Sequence, residues 1–477
     1  MRRLAWACVL IALLFLSSAH GIRRLSPRFP SSPPPCFQEL ASFSVTPSSS
    51  PGLYYNVSRV TNPSFNVHPP PFVVLPRSVE EVQVALRCAA QHGVHVSVKN
   101  GGHSFEGYST TPVGFMMNME RLCQVEWIDD AVIRVGVGCR WRDVYAAFRE
   151  HGGVWVVTGG LCPSVGVTGF TLGGGVGPTA RQFGLAIDNV LEFQMVTSNG
   201  SQVVQASPRE HQDLYWALRG SGGGNFGVVT QLVMRVFRGP NLYAWGKICY
   251  EPTLSAQVMK LLFDQYDKQS RSINIDLTLS TSELCLWVIS QHSEQDTKAA
   301  VAAFWTTSRF WREFDCFWEM IQDYADEHGY AEYSSQAGLT KTVLVDSLSA
   351  PLLKTLASSI KPQDGDCDLH FIQFGGATAD LEAHETAFTW RNTKFMVYFS
   401  CGVTPATKTA VRLRMEEWYR SVKPFIAGSY VNFIDSTLPD WANVYYGSNL
   451  ARLQAIKEQW SPVGMTPLSF RQEIPAP

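Results

Sequence analysis

The sequence predicts an α+β fold in at least two parts, and three observations carry that prediction. The chain has 477 residues, more than one ordinary core accommodates. Helix and strand signals alternate up to about residue 236, with glycine-rich turns between them. From about residue 240 the texture changes to two-residue alternation, the mark of an antiparallel sheet backed by helices. Composition agrees: 45% hydrophobic and 17% charged residues describe a globular chain. The net charge of −2 offers no electrostatic footprint for nucleic acid or an anionic membrane.

Arg2 and Arg3 precede an apolar run, Leu4–Leu16, and the small residues Ser17, Ser18, Ala19 and Gly21. This is the layout of a secretory signal peptide over residues 1–21, too short for a good membrane span. The mature chain is expected to be secreted, soluble and monomeric. Asn56-Val57-Ser58 and Asn199-Gly200-Ser201 are acceptor sequences for N-glycans at Asn56 and Asn199. Eleven cysteines include Cys8 of the signal, and no C-x-x-C pair suggests a metal site. In an oxidising compartment some pairs should be bridged, with Cys36 and Cys88 the first choice. That bridge would close a loop of about 50 residues and contribute about 4 kcal/mol in the chain-entropy picture.

Residues 22–68, rich in Pro and Ser, read as an extended N-terminal arm. Ser78-x-x-Glu81 is a capping box that opens a helix with Val79, Val82, Leu86 and Ala89 on its buried face. Gly93 ends it, and the strand Val94–Val98 runs straight into Asn100-Gly101-Gly102-His103. A second strand and helix follow at Val132–Val137 and Trp141–Arg149. Beyond 240, strands are expected at Ile273–Leu279, Leu284–Ile289, Leu369–Phe374 and Phe395–Phe399. Helical patterns occur around Ala299–Phe304 and Lys408–Ser421.

Gly222-x-Gly224-x-x-Gly227 matches a dinucleotide fingerprint literally, but a helix (Leu214–Leu218) precedes it and a strand (Val228–Val236) follows. The fingerprint requires the reverse order, which argues against a nicotinamide site. Between 159 and 177 lie Gly159, Gly160, Gly166, Gly169, Gly173, Gly174, Gly175 and Gly177. So many glycines cost backbone entropy unless a ligand or a chain segment must approach closely. Bare backbone N–H groups can hold a pyrophosphate.

Three passages and the chain's ending together resemble a known family. They are Lys99-Asn100-Gly101-Gly102-His103-Ser104, Gly160-Leu161-Cys162-Pro163-Ser164-Val165-Gly166 and Trp216–Gly227, with Tyr430-Val431-Asn432, Leu438–Trp441 and Tyr446–Asn449 near the end. They look like the FAD-linked oxidases of the berberine bridge enzyme and vanillyl-alcohol oxidase type, nearest the fungal secreted branch. The resemblance implies a PCMH-type FAD-binding domain of two α/β subdomains at 69–239. It implies a substrate domain at 240–425, with an antiparallel sheet backed by helices, and a segment at 426–477 that returns to the FAD side.

It further implies that FAD is held covalently, by His103 at the ring's 8α-methyl group and by Cys162 at ring position 6. A buried hydrogen-bonded histidine and a free or disulfide-bound thiol are the plain alternatives. Two tethers would fix the ring and raise its reduction potential. Lys99, Asn100, Gly101, Gly102, Ser104, Gly160, Val165, Gly166 and Gly169 would surround the cofactor. So would Gly173, Gly174, Gly175, Gly227, Val229, Asn432, Tyr446 and Asn449. Tyr430 matches the catalytic base that takes the substrate's hydroxyl proton; a free phenol titrates near 10, so it needs a partner that stabilises the phenolate. Val165 stands where a small residue admits oxygen, giving hydrogen peroxide.

The chain also departs from the family. Thr168-Gly169-Phe170 replaces a Gly-Gly-His, and Tyr398 follows Trp390-Arg391 where sugar oxidases place a Gln. Ser461–Met465 replaces the usual Asp-Pro-x-Asn-x-Phe tail. Gln373 and Tyr398 are the expected substrate contacts. Two substrate classes compete, a secondary-metabolite alcohol and a sugar or oligosaccharide, with the Tyr398 departure favouring the first. A flavin-scaffold cyclase or ligand-binding protein without net oxidation is the reading from another class.

Overall fold

The computed structural model describes residues 35–306, 309–330, 337–462, 467, 468, 470 and 472–477, with the backbone alone at 35–37. The expected signal segment, 1–21, and the Cys36 side chain lie outside the described residues.

From residue 35 onward the Pro- and Ser-rich stretch is not the extended arm expected of it. Pro35–Ala41 and Pro51–Ser58 are helices, and Ser44–Val45 pairs antiparallel with Val73–Val74. Proline sits in the first turn of Pro51–Ser58, where no intrahelical N–H bond is lost, and Tyr54 and Val57 are buried. This strand starts a four-stranded sheet in the order Ser44–Val45, Val73–Val74, Phe115–Asn118, Val96–Lys99. The last three strands run parallel. The helix Val79–His92 precedes Val96–Lys99 as expected. Its Ser78 hydroxyl accepts from the Glu81 N–H, and Gly93 leaves it at φ 61°. The Glu81 carboxylate accepts the Arg77 N–H at 2.6 Å, one residue before the anticipated return bond.

A five-stranded antiparallel sheet follows, in the order Val125–Asp129, Val132–Gly136, Gly227–Arg235, Val190–Thr197, Val203–Ala206. Helices Trp141–Glu150 and Gln212–Leu218 share its core through Trp141, Val144, Phe148 and Leu214. The order of helix, glycine turn and strand at Gln212–Arg235 is the one read from the sequence.

The third sheet has seven antiparallel strands: Arg309–Phe314, Tyr243–Tyr250, Leu284–Ser290, Ile273–Leu279, Cys367–Gln373, Phe395–Val403, Ala337–Val345. Its two faces separate by parity, because successive side chains on a strand point oppositely. On one face Phe395 packs on Phe263 (ring centroids 4.4 Å) and Phe399 on Trp418 (5.4 Å), which seats the helices Ser255–Gln265 and Lys408–Val422. The pattern expected at Ala299–Phe304 is the end of a helix, Glu294–Ala300, followed by a 3₁₀ turn at Ala302–Phe304.

Disulfides join Cys123 to Cys139, Cys249 to Cys285 and Cys367 to Cys401, and Cys88 is also disulfide-bonded. Cys249–Cys285 and Cys367–Cys401 each link directly opposed residues of neighbouring strands. Such bridges agree with an oxidising compartment. Asn56 and Asn199 are exposed. Among the described residues no helix is long and apolar enough to cross a membrane.

Candidate functional site

The four-, five- and seven-stranded sheets each contribute walls to one cavity of about 1050 Å³. The second face of the seven-stranded sheet supplies every other residue: Asn274, Asp276 and Thr278 on one strand, His370 and Ile372 on the next, Met396, Tyr398 and Ser400 on the third. The opposite wall is built from glycine loops.

Two of these loops lie back to back. A Cβ on Gly101 would fall 2.4 Å from the Gly166 nitrogen, and one on Gly166 would fall 1.3 Å from Asn100 Oδ1. No side chain fits at either position, so the loops after Val96–Lys99 and before Val167–Leu172 meet through bare backbone. This contact brings the two sequence candidates to one point. His103 Nε2 lies 3.0 Å and Cys162 Sγ 3.3 Å from the same hydroxyl, Ser164 Oγ. Cys162 is free and half-buried, while Cys88, Cys123, Cys139, Cys249, Cys285, Cys367 and Cys401 are all committed to disulfides. Val165 and Gly160 line the cavity beside them, with Gly102, Ser104 and Gly169.

Tyr430 is buried against this wall at 2% exposure. Its phenolic oxygen accepts three N–H donors: the backbone of Gly175 (2.9 Å) and Val176 (3.3 Å) and the Asn432 amide (2.9 Å). Burial is the dominant influence and pushes the phenol up to about 12, and the three donors oppose it. Sequence reading asked for a phenolate-stabilising partner; the structure supplies N–H groups. Among the described residues that line the cavity there is no lysine or arginine.

Gly227, Val229, Tyr446 and Asn432 also line the cavity, and the Tyr446 hydroxyl donates to Ser221 O at 2.9 Å. Lys99 does not line it: the buried ammonium donates to Val57 O at 3.3 Å. Gly173, Gly174 and Gly175 lie one layer behind. A Cβ at Gly173 would meet Asn432 Oδ1 at 2.0 Å, and one at Gly174 would meet the Tyr430 ring at 3.3 Å. Those glycines make room for the Tyr430–Asn432 segment. Asn449 also stands off the cavity, and its amide donates to the carbonyls of Ala383, Thr386 and Ala387.

Gln373 does not reach the pocket as expected. It has the opposite parity to Ile372 on its strand, and its amide accepts from Ile275 N–H (2.8 Å) and donates to Gln269 Oε1 (2.6 Å). Trp390 is spent on the Tyr445 carbonyl and Arg391 on a bidentate pair with Asp188, so neither lines the cavity. Tyr398 does, stacked on His370 at 4.4 Å between ring centroids. Sequence reading missed Asp276, His328 and His370 on the same wall. The signal was present in Ile273–Leu279, where Asn274, Asp276 and Thr278 alternate with the apolar residues.

A large flat cofactor with a pyrophosphate fits these walls. Their glycines leave backbone exposed to a ligand, and Asn100 Oδ1 and Thr168 Oγ1 are buried there without a hydrogen-bond partner among the described residues.

Comparison with known proteins points the same way. Residues 70–205 match the FAD binding domain family, and residues 429–464 match the family described as berberine and berberine like. The chain is 28% identical over 452 residues to the FAD-linked oxidoreductase easE of Trichophyton verrucosum, covering 82% of this chain and 72% of that protein. Among solved structures it resembles the BBE-like 1 protein of Physcomitrella patens, with a TM-score of 0.83, 25% identity, and coverage of 92% of this chain and 99% of that one. It shares the fold alone with a chitooligosaccharide oxidase, at a TM-score of 0.81, 22% identity and coverage of 93% and 99%.

Proposed function

From a chain that belongs to the berberine-bridge-enzyme-like family of FAD-linked oxidoreductases, we propose an oxidase of secondary metabolism that carries its FAD on His103 and Cys162. When bound, FAD supplies a two-electron acceptor that takes hydride from an alcohol carbon and passes the electrons to oxygen, giving hydrogen peroxide. The observation that carries this reading is the convergence of the imidazole and the thiol on Ser164 Oγ, at 3.0 and 3.3 Å.

The other groups act around those two attachment points. Bare N–H groups of the glycine loops would hold the pyrophosphate, in a wall without lysine or arginine among its described residues. Tyr430 takes the substrate's hydroxyl proton at its phenolic oxygen. Three N–H donors and no acceptor within the described structure form the hydrogen-bond shell of a phenolate. Burial opposes ionisation, so turnover should rise with pH as the phenolate fraction grows. Tyr398, His370 and Met396 give the substrate an aromatic and apolar surface.

A second reading, a sugar or oligosaccharide oxidase, is favoured by Asn274, Thr278 and Ser400 on the same wall. One experiment tests the main reading and separates the two. The purified protein should be yellow, the colour should stay with the acid-precipitated polypeptide, and peroxide should form with apolar alcohols in preference to sugars. Flavin released by acid would remove the covalent claim, and a preference for sugars would select the second reading.

A further inference from the structure

The substrate end of the cavity has an asymmetry of charge. Among the described residues that line the cavity, Asp276 is the one carboxylic acid, and none is a lysine or arginine. Asp276 is 5% exposed and is fixed by two donors, the Gln373 N–H at 2.9 Å and the Asn274 amide at 2.8 Å. No cation of the protein pairs with it in the described structure. Aromatic rings stand on the same surface. Trp287 is its cross-strand neighbour, Tyr324 lies 5.8 Å from Trp287, and Tyr398 lies two strands away.

We infer that this enzyme's substrate carries a protonated amine, which Asp276 receives as a carboxylate while the surrounding rings face the ammonium. The inference rests on reading the cavity as the substrate chamber of a flavin-dependent oxidase. A lone carboxylate in a dry aromatic pocket is costly without a cation, and an ammonium gains both the charge pair and the ring faces. It separates the substrate from neutral sugars, which would leave the acid unpaired.

The surrounding titratable groups leave Asp276 uncompensated. Burial pushes its carboxyl up to about 7, ahead of the two hydrogen bonds that oppose it. Burial also lowers His370 to about 3 and His328 to about 4, so both rings are neutral from pH 5 to 8. Tyr324 and Tyr398 are held well above their ordinary range and stay neutral. Tyr330 faces the same chamber, and Lys247, behind the Trp287 ring, is paired with Glu283.

The test is calorimetric titration of the purified full chain with phenethylamine and with 2-phenylethanol, repeated on Asp276→Asn. The wild type should bind the amine at least about tenfold more tightly than the alcohol, the size of a charge-assisted hydrogen bond. The preference should vanish in Asp276→Asn with flavin content unchanged. In the wild type, amine affinity should fall about tenfold per pH unit below 7 while alcohol affinity stays level. That pH series decides the matter if the variant fails to fold. Equal binding of the two probes overturns the inference, as does a folded Asp276→Asn that keeps the preference. Covalent flavin and peroxide formation without amine preference would sink this inference and leave the oxidase reading standing. Amine preference in a flavin-free chain would do the reverse.

Discussion

At the scale of single residues, one hydroxyl organises the proposed attachment point. Ser164 lies within hydrogen-bond reach of both His103 and Cys162, and with the two tethers proposed, either one alone should hold the flavin. His103→Ala and Cys162→Ala should each retain flavin on the acid-precipitated polypeptide, and the double variant should release it all; absorbance of pellet and supernatant reads this directly. Tyr430→Phe should leave the colour and remove most turnover. Asn432→Ala should act on pH instead. It deletes one of three donors to the phenolic oxygen, which raises the phenol further and moves the rising limb of the pH–rate profile to higher pH. A hydrogen bond to a charged group is worth about 1.5–3 kcal/mol, so the limb should move by about one to two pH units. An unmoved limb would remove Asn432 from that role. That His103, Cys162 and Tyr430 would all line one cavity was legible because each sits in a short local motif. The donors to Tyr430 were not, since Gly175 and Val176 lie some 250 residues away in sequence.

Single elements show where pattern reading succeeds and where it stops. The helix Val79–His92 and the strand Ile273–Leu279 were readable because caps and alternation are local. The helices within 35–58 were obscured by prolines that the first helical turn tolerates. Gln373 was misassigned because parity along a strand needs a register, and a register is a property of two strands. The same parity turns Asp276 toward the cavity. The glycine loops carry the strictest demand. Gly166→Ala places a methyl group 1.3 Å from Asn100 Oδ1 and must push the two loops apart. Overpacking of this kind costs about 1–3 kcal/mol, and here it also displaces Ser164. The variant should show a lower unfolding temperature and a reduced ratio of flavin to protein absorbance. A fully loaded Gly166→Ala would show that the close contact is dispensable.

Across the whole molecule, the chamber depends on strands that disulfides hold in register. Replacing Cys367 and Cys401 together by Ala opens a bridge that spans 34 residues of sequence between neighbouring wall strands. The chain-entropy picture gives a loss of about 4 kcal/mol, measurable by denaturant titration under non-reducing conditions. The amine affinity proposed above should weaken with it, because His370 and Tyr398 sit on the same two strands. The broad division into glycine-loop walls and an antiparallel sheet was legible from texture alone. The third contribution was less so. Leu468, Phe470 and Gln472 line the cavity, the Val96 N–H donates to Pro467 O at 2.9 Å, and the Ile474 N–H donates to Asn225 Oδ1 at 2.9 Å.

That closing contact bears on how the chain acquires its cofactor. The chamber draws on residues from Thr61 to Gln472, so its walls are incomplete while the ribosome is still adding the last strand of the wall and the tail. A nascent chain halted before Pro467 has the glycine loops but lacks the backbone partner of Val96. A chain shortened to end before Pro467 is therefore expected to load less flavin than the full chain, which the flavin-to-protein absorbance ratio of the two purified proteins reads.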